Sequence, residues 1–84
     1  MISIVRDLAA EALFVSDLQP SQYPSREAVE QAVTAMILLY GSDGCAAGVA
    51  SEFGDHPETA VRRMTWVHHE LTGVLAPRTT AVVR

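Results

Sequence analysis

Lysine and asparagine are absent from the chain, and cysteine and tryptophan occur once each. Each scarcity excludes something. Cys45 has no second cysteine to pair with, so a disulfide scaffold is ruled out and a reducing cytoplasm is the simplest setting. Without lysine there is no glycine-rich phosphate loop of the lysine-bearing kind. No unbroken apolar run approaches the roughly 18 residues of a membrane span. The opening MISIVRDLAAEALFV carries Asp7 and Glu11 where a secretory signal needs an uninterrupted apolar core. These readings predict a cytoplasmic protein with no membrane association.

What remains is 84 residues, 49% of them hydrophobic, which suits one small folded domain and not a disordered chain. A chain this short buries only about 60% of the surface its unfolded form exposes, so self-association is a natural way to cover leftover apolar area. Alanine and valine supply 22 residues (12 plus 10), a bias that resembles GC-rich codon usage and favours helix through alanine. All six basic residues are arginine, and the net charge is −4. Its distribution is uneven. Residues 1–59 hold nine acids and two arginines, a balance of −7, whereas residues 60–84 hold four arginines and Glu70, a balance of +3. An acidic whole discourages nonspecific binding to nucleic acid, whose affinity rests on cations. The basic end suits a local contact, including one with the acidic part of a second copy.

Helical periodicity dominates. Ser3 is positioned to cap a first helix running to about Val15, with Ile4, Leu8, Ala12 and Val15 on one face and Val5, Ala9, Leu13 and Phe14 widening it. The stretch SDLQPSQYPS, residues 16–25, reads as a loop because Pro20 and Pro24 disfavour helix before them. Ser25 then caps a second helix to about Tyr40, ended by Gly41 in a left-handed conformation. A turn at residues 42–44 precedes a short third helix, roughly Cys45 to Phe53, closed by Gly54. Asp55 and Glu58 have the spacing of a capping box for a fourth helix, Pro57 to Leu75. In it, Ala60, Met64, Val67, Leu71 and Val74 alternate four and three apart, the strongest periodic signal in the chain. Pro77 stops that helix. Residues 1–76 form one helical domain on this reading, with 77–84 a C-terminal tail that is either flexible or clamped on a partner.

The segment GCAAGVASEFGDHPETAVRRMTW, residues 44–66, holds the feature least explained by folding alone. Ala50, Gly54, Ala60 and Met64 stand at the four spacings of a helix-turn-helix, which this pair of helices resembles; Thr59 and the arginine-bearing second helix fit as well. Asp55, after the glycine, and Val61 depart from the motif's usual apolar and polar positions. On a helical wheel, Arg62, Trp66, His69 and Gly73 lie opposite the apolar stripe of the fourth helix. Arginine and tryptophan are favoured interface anchors, and glycine admits a neighbouring backbone. Arg62, Arg63, Trp66, His69 and Gly73 are therefore the candidate partner-binding residues; the competing reading is that the first helix covers Trp66 as ordinary core. The stretches LFVSDLQPSQYPSREAVEQAV and GCAAGVASEFGDHPETAVRRMTWV resemble short uncharacterised helical proteins of actinobacteria over roughly residues 7–70. The resemblance implies a small helical fold and carries no activity with it.

Catalytic and metal chemistry finds no footing. HHELTG at 68–73 lacks the second histidine of a zinc-protease helix, since Gly73 stands four after His69, and His68 and His69 diverge by about 100°. His56 beside Asp55 and Glu58 reads as a turn residue. Cys45 reads as a small buried thiol. GSDG lacks the length of a calcium loop, and GVASEFG contains no nucleophile elbow. The expectation is an all-α fold of three or four helices with a helix-turn-helix-like pair, without catalytic residues, metal or cofactor. Its predicted role is a self-associating interaction module that binds protein through the fourth helix; a small DNA-binding regulator using the same helix is the alternative.

Overall fold

A computed structural model describes residues 4–75. Three helices account for most of them: α1 (Ile4–Val15), α2 (Arg26–Asp55) and α3 (Pro57–Leu75), with a 3-10 turn at Pro20–Gln22 between the first two. Among the described residues there is no strand. Ser3, Pro77 and the tail expected at 77–84 lie outside the described residues.

α1 is the central element. Ala9, Ala10, Ala12, Leu13 and Phe14 are buried, and the helix packs against both α2 and α3, as its wide apolar band predicts. Val29 of α2 and Ala60, Val67 and Leu71 of α3 complete the core. Phe14 stacks on Phe53 with ring centroids 5.9 Å apart. The small side chains of α1 let its neighbours approach closely. At Gly48 the approach is tightest: a Cβ there would lie 2.7 Å from Val15 Cγ1.

The expected break after Tyr40 is present at Gly41, but without a loop, so the two helical stretches on either side of it run on as one kinked element, α2. Ser25 caps it as anticipated, its Oγ accepting from the Ala28 amide at 3.1 Å. Gly41 leaves helical geometry (φ 71, ψ 173), a region that only glycine enters readily, and bends the path there. Residues 42–44 then take helical geometry instead of forming a loop. One positive φ redirects the chain, so no longer connection is needed. Gly44 sits against Tyr40, where a Cβ would come within 2.8 Å of the tyrosine Cβ.

The turn and close helix approach expected at Gly54 are not found there. Gly54 lies inside α2 with no positive φ, a Cβ on it would meet nothing within 4 Å, and Ala50 is exposed. Asp55, expected as a cap, is the last residue of α2. The boundary falls two residues later than Gly54, at His56 (φ −140, ψ 67), whose amide donates to Glu52 O at 2.7 Å. Pro57, lacking an amide hydrogen, opens α3 immediately afterwards.

Counted across the bend at Gly41, α2 is long and apolar enough to cross a membrane by length and composition alone, with a mean hydropathy of 1.4. Small, mostly uncharged residues such as Thr34, Gly41, Ser42, Gly44 and Gly48 interrupt its apolar residues, so no unbroken apolar run marks it in the sequence. Along this helix Leu38, Leu39 and Tyr40 face outward, and Val5 of α1 is likewise exposed.

The helix ends show how the arginines are used. Neither α1 nor α3 carries a basic residue in its own last turn to face its terminal carbonyls. Each borrows one. Arg63 of α3 donates to the end of α1, and Arg26 of α2 donates to Gly73 O (3.3 Å) and to Val74 O in the last turn of α3. Arg6 of α1 reaches Thr72 Oγ1 at 3.2 Å.

Candidate interaction face on the last helix

The periodicity of α3 sorts its residues as the wheel predicts. Ala60, Val67 and Leu71 are buried, and Met64 and Val74 pack beside them. Arg62, His69 and Gly73 are exposed on the other side. Trp66 is half-buried: its ring packs against the core cluster and also lines the surface. Core and surface were posed as alternatives for this residue, and it serves as both. Gly73 leaves open space where a Cβ would stand.

Arg63 does not share this exposure. Its Nε donates to Phe14 O at 2.7 Å, and its Nη2 donates to Ser16 O at 2.9 Å and Leu13 O at 3.4 Å. The guanidinium carbon lies 5.2 Å from the Trp66 ring centroid and 5.8 Å from that of Phe14. Burial lowers the Arg63 pKa from its ordinary value while Glu52 opposes the shift, and so basic a group stays charged. Adjacent in sequence and 100° apart on the helix, Arg62 and Arg63 have separate fates: one faces solvent, the other joins α3 to α1.

Two grooves of about 480 Å3 each flank Trp66. Pro20, Ser21, Tyr23, His69 and Glu70 form the first with it; Val61, Arg62, Thr65 and His69 form the second. Tyr23 and Glu70 did not emerge from the sequence. Tyr23 ends the 3-10 turn in left-handed conformation (φ 48, ψ 57), its amide donating to Pro20 O at 3.1 Å. That conformation costs a residue with a Cβ about 1–2 kcal/mol. It leaves Tyr23 89% exposed at the groove's rim. The two prolines around it, Pro20 and Pro24, were the available signal. Glu70 is half-buried and makes no hydrogen bond or ion pair among the described residues.

Elsewhere the reactive side chains are scattered. Cys45 is fully buried, its Sγ donating weakly to Met36 O at 3.7 Å, and burial together with Glu11 pushes its thiol pKa up. His56 Nδ1 stands 3.4 Å from Glu52 Oε1 at an exposed site. Among the described residues no three histidine, cysteine, aspartate or glutamate side chains gather as a metal site would require. Comparison with family models, curated proteins and solved structures finds no match to this chain.

Proposed function

We infer that the protein is a non-enzymatic, self-associating interaction module of the cytoplasm that binds protein through α3. The observation that carries this reading is the placement of Trp66. A large ring held by the core yet open to two grooves, with Arg62 and His69 beside it, has the make-up of an interface anchor. The apolar row of Leu38, Leu39 and Tyr40 on α2 adds surface that association would cover.

The competing reading, a small helix-turn-helix regulator, has less support. A DNA reader needs several cations on its recognition helix, and Arg63 already has its donors engaged by α1. Neither Ala50 nor Gly54 supplies the close helix approach the motif uses. The test is Trp66→Ala, which should keep the helical circular dichroism nearly intact while abolishing self-association or capture of a partner; such a truncation at a hot spot costs about 2 kcal/mol or more. The wild type should show no duplex DNA binding at physiological salt. Unfolding of Trp66→Ala would assign the ring to the core alone, and a salt-sensitive duplex shift lost in Arg62→Ala would favour the regulator.

A further inference from the structure

We propose that the partner this face fits is a second copy of the chain, paired antiparallel through α3 about a two-fold axis at Trp66, with Arg62 of each copy entering the Tyr23–Trp66–Glu70 groove of the other. The inference rests on the reading of α3 as a binding face and gives that face an occupant.

The register carries the argument. Arg62, Trp66 and Glu70 stand at i, i+4 and i+8, so they form one ridge of the kind that interdigitates when two helices pack at about −50°. Arginine and glutamate lie equally far from the tryptophan, four residues on either side. Reversing a second α3 about Trp66 therefore sets Arg62 of one copy opposite Glu70 of the other, twice over. A two-fold interface requires this self-complementarity, in which each residue's partner finds the same residue in return.

Each half of the pair is unpartnered as it stands. Arg62 is exposed and makes no hydrogen bond, ion pair or ring contact among the described residues. Glu70 is half-buried, equally unpaired, and the single acid of the basic segment 60–84. In its groove it is the one formally charged group, and Tyr23 and Trp66 line the same groove. A groove holding a carboxylate and aromatic rings suits a planar guanidinium, which can bond the one in a fork and stack on the other. The chain itself shows this stacking, with Arg63 against Trp66. Arg63 does not compete for Glu70, because its donors are directed at the α1 carbonyls. Tyr23, held outward by its left-handed backbone, completes the rim.

Charge exchange tests the register. The full chain should dimerise in sedimentation equilibrium, and the emission of Trp66, the sole tryptophan, should shift to the blue as concentration rises. Arg62→Glu and Glu70→Arg each create two like-charge pairs, so each should weaken the dimer by about a hundredfold. Mixing these two variants should restore a heterodimer, because both contacts become complementary again, and the double variant should dimerise by itself. A monomeric wild type at every concentration overturns the proposal. So does a dimer that survives both single exchanges, or one broken instead by Leu38→Glu and Leu39→Glu on α2. If the wild type is monomeric yet Trp66→Ala still abolishes capture of a different protein, the homodimer fails while α3 stands as a binding face.

Discussion

At the end of α1 the carbonyls of Leu13, Phe14 and Ser16 receive Arg63, a residue 47 or more positions away in sequence. Ser16 Oγ also donates to Leu13 O at 2.7 Å, so the helix end is satisfied although it lies against the core. Removing Arg63 takes the side-chain donor from Phe14 O and Ser16 O, while Leu13 O keeps its Ser16 donors, and it takes the stacked guanidinium from Trp66. Arg63→Ala should lower unfolding stability by about 2 kcal/mol in denaturant titration, and Arg63→Lys should recover little, because an ammonium does not reproduce the planar fork. Arg62→Ala, at an exposed site, should stay within about 0.5 kcal/mol in the monomer. Cys45 makes a second prediction. Its folded thiol pKa is raised, so above the ordinary thiol range the unfolded chain loses its proton while the folded chain keeps it. Fewer protons on the unfolded state mean that stability falls as pH rises through that range. A melting temperature that declines there in the wild type, with a shallower decline in Cys45→Ala, is expected. A thiol reagent should label native Cys45 slowly and the unfolded chain quickly.

At the scale of the helix, the glycines separate by what surrounds them. Gly48→Ala pushes a methyl group into Val15, a β-branched side chain with little freedom to turn aside. It should destabilise the fold, and Val15→Ala in the same chain should relieve part of the loss. Gly54→Ala and Gly73→Ala meet open space inside helices and should each stabilise by about 0.5–1 kcal/mol in thermal melts. The sequence suggested the reverse for Gly54, where a glycine before an acid and a proline looks like a helix stop. Local rules read α1, the Ser25 cap and the two faces of α3 correctly, because each depends on residues within a few turns. They placed the break at Gly41, but they gave it a loop at 42–44 that stays helical and ended the next stretch at Gly54 instead of His56. Gly48 gave no local signal at all; its need for hydrogen in place of a side chain comes from Val15, 33 residues earlier. Tyr23 and Glu70 were missed for the same reason, as the groove exists only once the 3-10 turn lies beside α3.

For the whole molecule, cross-links between helices come from guanidinium groups as well as from apolar contact. Arg6, Arg26 and Arg63 tie α3 to α1 and α2, and no lysine shares the task. The chain is therefore selective in its chemical vulnerability. Reagents that acylate amines find no side chain to modify and should leave the melting curve unchanged. Phenylglyoxal, a dicarbonyl that consumes arginine, should modify exposed Arg62 first among the arginines of the described residues and loosen any assembly through α3. Longer treatment should reach the inter-helix arginines and lower the melting temperature, with helical content lost as Arg63 reacts. Mapping modified positions by mass spectrometry against time would then read out, in order of reactivity, which arginines bind outward and which ones hold the fold.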